Sequence, residues 1–172
     1  IITDRDCRGI QGEIAYSTSV ISQASPSLSS EAITSNNCER TGAGGYSTLL
    51  LNFDLIKVAK LFISGSGSSS LSTSIGGTAQ VQVSILKISG TQSSIIGLPS
   101  ASATTYSGVT IEKRDADFLV TFGGTTTSVD ITGVNNAYLI ITANTYAPPS
   151  RQIDGRFTGQ SANAEYAISS IA

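Results

Sequence analysis

Apolar and polar residues alternate with a period of two along most of the chain, as in strands with one face in a core and the other in water. The run Ala79, Val81, Val83 and Ile85, set against Gln80, Gln82 and Ser84, shows it most clearly. Ile14, Tyr16, Thr18 and Val20 alternate with Ala15, Ser17 and Ser19; Leu49, Leu51, Phe53 and Leu55 alternate with Thr48, Leu50, Asn52 and Asp54. Near the end, Ala164, Tyr166 and Ile168 alternate with Glu165, Ala167 and Ser169. Leu61–Ile63, Val109–Lys113, Phe118–Phe122 and Tyr138–Thr142 add shorter strand-like segments, for eight or more strands in all. No segment keeps a 3.6-residue period over three turns, so no long helix is expected.

Glycines punctuate this pattern. Gly42, Gly44 and Gly45 precede the Leu-rich strand, Gly65-Ser66-Gly67 and Gly76-Gly77 bracket a Ser-rich stretch, and Gly123-Gly124 follows Phe122. Their spacing suits a sandwich of antiparallel strands. Residues 22–40, with Pro26 and Asn36-Asn37, read as a long surface loop or a short helical excursion, and 144–162 as a second irregular region. The Ser66–Ser74 stretch reads as a loop or irregular strand pair inside the domain, not as a linker. Leu61–Ile63 and Ala79–Ile85 on either side of it read as neighbouring strands of one sheet. The expectation is one all-β domain over residues 1–172, an antiparallel β-sandwich with a loop-rich N-terminal section at 1–45.

Composition changes what such a domain can do. The 172 residues include 28 Ser and 19 Thr but no histidine, and only 13% are charged. Without histidine, Ser-His-Asp and Cys-His catalysis and His-ligated metal sites are excluded. A net charge of −2 offers no basic footprint for nucleic acid. No apolar run approaches 18 residues, so no membrane span is expected. The opening Ile-Ile-Thr-Asp-Arg-Asp has neither signal-peptide character nor an initiator Met, which suggests a processed product or an excised domain. Cys7 and Cys38 are either a disulfide closing an N-terminal loop, worth roughly 3 to 4 kcal/mol in the chain-entropy model, or two unpaired thiols.

The order of segments carries a resemblance. An inner strand with a polar break (Leu49–Phe53-Asp54-Leu55) is followed by Ala59-Lys60-Leu61-Phe62-Ile63-Ser64-Gly65 and a long strand with a turn at Val81–Ile88-Ser89-Gly90-Thr91. Ser128-Val129-Asp130-Ile131-Thr132-Gly133-Val134 then leads into Ala137-Tyr138-Leu139-Ile140-Ile141, and Ala164–Ile171 closes the chain. Over residues 46–171 this resembles galactose-binding-like jelly rolls, as in carbohydrate-binding modules and the domains of phage tail and other virion proteins. The resemblance implies a jelly-roll sandwich whose final strand completes the fold. The chain departs from carbohydrate-binding modules in having no Trp for a sugar platform.

Three groups of residues are candidates for a site. Asp4, Asp6 and Glu165 have the polarity of the structural calcium sites that such jelly rolls often carry, although calcium takes six to eight oxygens and ordinary surface acids look the same. No other cofactor is expected. Glu112, Asp115 and Asp117 around Lys113 and Arg114 could serve as a carboxylate pair for glycoside hydrolysis, but their setting between two strands reads as a solvated charged turn. The segment Asn144–Phe157 combines Tyr146, Arg151, Asp154, Arg156 and Phe157 with Pro148-Pro149, a mixture used in sugar or protein recognition and also in loops that pack on a sandwich edge.

The function expected from the sequence is a non-catalytic structural or adhesive module of a virion, phage tail or capsid-associated, or of an extracellular surface assembly. Its partners would be other subunits, including copies of itself. The alternative is a carbohydrate-binding accessory module of a secreted enzyme, with a glycan as ligand.

Overall fold

Alternating side chains put the apolar half of each strand on one face, and two such faces close on each other. The computed structural model describes residues 14–20, 26–33, 43–53, 59–72, 76–97, 105–148, 151–153, 156–158 and 160–172. Their strands are β1 (Ile14–Val20), β2 (Ser27–Ile33), β3 (Ala43–Phe53), β4 (Lys60–Ser72), β5 (Thr78–Ser89), β6 (Gln92–Gly97) and β7 (Thr105–Tyr106). They continue as β8 (Val109–Lys113), β9 (Asp117–Phe122), β10 (Thr125–Asp130), β11 (Asn136–Ala147), β12 (Arg151–Ile153), β13 (Arg156–Thr158) and β14 (Ser161–Ile171). No helix occurs among the described residues.

The chain is an antiparallel β-sandwich. The larger sheet runs β1-β2-β14-β4-β8-β9-β10, with β7 also paired to β4; the smaller runs β3-β11-β5-β6. A separate two-stranded pair, β12-β13, completes the set. Leu28, Ile63, Val109, Ile111, Phe118, Val120, Phe122, Tyr166 and Ile168 from the larger sheet meet Leu49, Val81, Val83, Ile85, Leu139 and Ile141 from the smaller. Toward one end the filling shrinks to Ala32 and Ala162 facing Ala147, with Ala79 beside them.

Between these regions one polar contact bridges the two layers. Ser30 of β2 and Thr145 of β11 are both buried, and their hydroxyls lie 2.7 Å apart. Thr145 Oγ1 also donates to the Gly45 carbonyl at 3.3 Å. Removing one partner of a buried bond costs more than the bond contributes, because the other is left dry and unpaired. Thr145→Val is therefore expected to lower stability by about 1 to 3 kcal/mol, while adding Ser30→Ala recovers part of the loss. A double-mutant cycle by urea denaturation measures both; additive losses would refute the coupling.

Several sequence expectations are corrected here. Residues 22–40 contain strand β2, because Leu28, Ser30 and Ala32 alternate inward; a serine and an alanine at core positions hide that period from a hydrophobicity reading. Residues 66–72 of the Ser-rich stretch are the second half of one 13-residue strand, β4, and residues 73–74 lie outside the described residues. Leu61–Ile63 and Ala79–Ile85 do not share a sheet: β4 lies in the larger and β5 in the smaller. Gly44, Gly45, Gly65 and Gly67 sit inside strands. Gly123-Gly124 is a turn as read, with φ of 58° and 77° in the two-residue loop joining Phe122 to Thr125, the backbone a type I′ hairpin requires.

Residues Asp130–Val134 form a tight corner, with the Val134 amide donating to the Ile131 carbonyl at 3.0 Å. Asp130 accepts from the Thr132 amide at 2.9 Å and from its hydroxyl at 2.7 Å. These bonds, the amide first, hold the Asp130 carboxyl below the usual carboxylate range, with the Lys87 charge adding to them. Lys87 Nζ donates to the Asp130 carbonyl at 2.7 Å, and the Gly90 amide donates to Asn135 Oδ1 at 2.7 Å. The β5–β6 turn is thereby fastened to this corner.

Candidate functional site

The two sheets present different outer faces. On the smaller sheet the outward positions fall in rows across β3, β11, β5 and β6: Tyr46–Asn144–Gln80, Thr48–Thr142–Gln82, Leu50–Ile140–Ser84–Gly97 and Asn52–Tyr138–Leu86–Ile95. No position in these rows carries a charge. Tyr46 is 71% exposed, Ile95 65%, Leu50 51% and Tyr146, one row beyond, 44%, so among the described residues four of the seven exposed large apolar side chains lie on this face.

The local reasons lie in the strands. Gly44 stands opposite Tyr146 on β3, and a methyl there would meet the Tyr146 ring at 3.6 Å, an ordinary contact, so the ring lies over the β3 backbone. Tyr46 sits diagonally from Tyr146 on the neighbouring strand, at the spacing of roughly 7 Å that lets long side chains share one patch. Apolar bodies with polar tips, flanked by amides and hydroxyls that both donate and accept, suit molecular contact and provide no acid–base chemistry.

The larger sheet is hollow where β2, β14 and β4 run side by side. A groove of about 460 Å³ lies over Ser27–Ser29, Glu165–Ala167 and Ser66–Ser68. The residues that face it are those whose neighbours point into the core: Glu165 and Ala167 flank buried Tyr166, and Ser27 and Ser29 flank buried Leu28. Glu165 accepts a hydrogen bond from Ser68 Oγ at 3.0 Å. Below the floor Tyr166 lies against Gly65 and Gly67, packs edge-on to Phe122 with ring centroids 6.2 Å apart, and donates to the Ser107 carbonyl at 3.0 Å.

The residues singled out from sequence scatter over this structure. Tyr146 belongs to strand β11, not to a loop, and joins the uncharged face. Arg151, Arg156 and Phe157 lie in the β12–β13 pair, which registers Gln152 with Phe157 and Ile153 with Arg156. Asp154, Asp4, Asp6, Cys7 and Cys38 lie outside the described residues. Glu165 lines the groove, and among the described residues no group of three or more Cys, Asp or Glu side chains is placed to hold a metal ion. Glu112, Asp115 and Asp117 belong to the β8–β9 hairpin, where the Arg114 amide donates to the Asp117 carbonyl at 2.8 Å; Asp117 also accepts from Ser128.

Sequence reasoning missed Tyr46, Leu50, Tyr138 and Ile95. The signal was present at Leu50, an apolar residue on the polar half of its own alternation, and again at Leu86 and Ile140. An apolar side chain out of phase with a buried face points outward.

No family model matches the chain, and no curated protein matches it. Among solved structures it is similar to alginate lyase A1-II′ of polysaccharide lyase family 7, at TM-score 0.34 and 16% identity, covering 89% of this chain and 83% of that one. It is also similar to the catalytic domain of an endo-1,3-β-glucanase (laminarinase) from Thermotoga petrophila RKU-1, at TM-score 0.32 and 9% identity, covering 87% and 78%. A third is lectin UEA-II complexed with galactose, at TM-score 0.29 and 9% identity, covering 90% and 86%. At these scores the β-sandwich assignment rests on the chain's own strands and their pairing.

Proposed function

We propose that this chain is a non-catalytic structural or adhesive module of jelly-roll type, working in a virion (phage tail or capsid-associated) or an extracellular surface assembly. We further propose that it meets a second copy of itself through the outer face of the smaller sheet. The observation that carries the reading is that face: uncharged across its rows, with Tyr46, Leu50, Ile95 and Tyr146 exposed. Interface centres are poor in charge and rich in Tyr. Two uncharged faces bring no like charges together, and their amides and hydroxyls can pair in either sense. Three strands of 11 or 12 residues and a fourth of 6, about 4.8 Å apart, make a face of roughly 450 Å² before side-chain relief, which suits the smaller class of interface below ~1,200 Å² in total.

The test is sedimentation equilibrium over a micromolar to hundred-micromolar range. Self-association is expected. Leu50→Lys with Ile95→Lys should abolish it while shifting monomer stability by no more than about 0.5 kcal/mol per site. A monomer at every concentration, or an oligomer indifferent to both lysines, would refute the reading.

A further inference from the structure

We infer that Tyr46 and Tyr146 form an oxidative coupling site, where a one-electron oxidant joins the two rings of one chain by a carbon–carbon bond. The chain has no Met and no Trp, so the sulfur groups that commonly absorb oxidising equivalents come down to Cys7 and Cys38, beside six tyrosines. Among the described residues Tyr46 and Tyr146 are the exposed tyrosines; Tyr166 is buried, and its hydroxyl donates to the Ser107 carbonyl. Tyr138 stands three rows from Tyr46 along the same face. Geometry brings the exposed pair together. Tyr46 registers with Asn144, two residues before Tyr146, so the two are diagonal neighbours roughly 7 Å apart, within the combined reach of two tyrosine side chains. The Tyr146 ring leans toward its partner: Cδ2 lies 3.6 Å from where a Gly44 methyl would sit, over the strand that carries Tyr46.

Each phenol gives up one electron and its hydroxyl proton, which passes to water at an exposed position. The two phenoxyl radicals join through ring carbons next to the hydroxyls. The hydrogens on those two carbons then move to the phenol oxygens, which restores both aromatic rings. Hydrogen peroxide acting through a peroxidase takes up the two electrons and two protons and becomes two waters. The product ties β3, the terminal strand of the smaller sheet, to its neighbour β11 by a bond that thiols do not cleave. It closes a loop of about a hundred residues, long enough to constrain the unfolded chain strongly. Coupling takes place on the free chain, before a second copy covers the face, and does not depend on the self-association reading.

Peroxidase and hydrogen peroxide, added to the full chain with free thiols capped by iodoacetamide, provide the test. The monomer should gain dityrosine fluorescence, lose the mass of two hydrogens, and show on peptide mapping a link between Tyr46 and Tyr146. Tyr46→Phe and Tyr146→Phe should each abolish the product, with the melting temperature before oxidation unchanged, while Tyr138→Phe should leave it. The linked chain should melt roughly 10 °C above the untreated one. Leu50→Lys with Ile95→Lys should not lower the yield, so failure of the self-association reading would leave this result standing. The inference is overturned if no link forms under conditions that couple free tyrosine, or if the main product is a covalent dimer. It is overturned equally if either phenylalanine variant still gives the product, or if the linked chain melts no higher.

Discussion

Gly67→Ala is expected to destabilise the sandwich by more than about 3 kcal/mol, the upper range for forcing extra volume into a packed site. A methyl at this position would run into the Glu165 carbonyl oxygen and reach within 2.7 Å of Tyr166 Cδ2 and 3.1 Å of its Cα. Two of these three atoms are backbone and belong to the strand hydrogen-bonded to β4, so rotating a side chain brings no relief. Either the β4–β14 ladder parts or the tyrosine leaves its place. Urea denaturation measures the loss; a variant within 1 kcal/mol of the parent would show that the two strands can separate at little cost.

Tyr166→Ala is expected to cost about 3 to 5 kcal/mol, as for other large aromatic side chains removed from a core. Among the described residues Tyr166 is the largest fully buried side chain, and it fills the space that Gly65 and Gly67 leave. Tyr166→Phe keeps the ring and loses only the bond to the Ser107 carbonyl, so about 1 kcal/mol is expected. Burial pushes the Tyr166 phenol up to about 12. The folded value lies above the unfolded value near 10, so the fold favours the neutral phenol. That contribution is intact below about pH 10 and is lost as the pH rises from there through about 12. Tyr166→Phe should flatten this alkaline decline, and an unchanged decline would assign it to other groups. Combining Gly67→Ala with Tyr166→Ala should cost less than the sum, since the second change removes one of the atoms the first collides with.

Most of the sandwich was legible because its core strands are written in two letters. Val81, Val83 and Ile85, or Phe118, Val120 and Phe122, alternate so cleanly that their inward faces need no tertiary information. Legibility failed where core positions are small or polar. Ser30 and Ala32 face inward on β2, and Gly65 and Gly67 face the Tyr166 ring on β4; in each case the partner that justifies them lies on another strand. Assigning β4 and β5 to one sheet failed for a related reason, since nearness in sequence does not say whether two strands pair edge to edge or stack face to face. The site was less legible still. Tyr146 was singled out for its company with Pro148 and Arg151, yet its place on the uncharged face comes from the register of β11 with β3, opposite Gly44 and diagonal to Tyr46, about a hundred positions earlier. Glu165 was singled out as a ligand with Asp4 and Asp6, whereas its described neighbour is Ser68.

The position of β14 between β2 and β4 has a consequence for how the molecule is made. The strand latest in this sequence is an interior strand of the larger sheet, and its register joins Ser161 to Ile33 on one side and to Ser72 on the other. Until it arrives, that sheet exists as two pieces with facing unsatisfied edges, and closing it needs contacts between segments distant along the polymer. Such closures are slow, and open edges waiting for a strand accept one from any source. During synthesis or refolding, the gap between β2 and β4 is therefore where a neighbouring chain can insert its own β14, so that crowded refolding yields exchanged dimers in place of closed monomers.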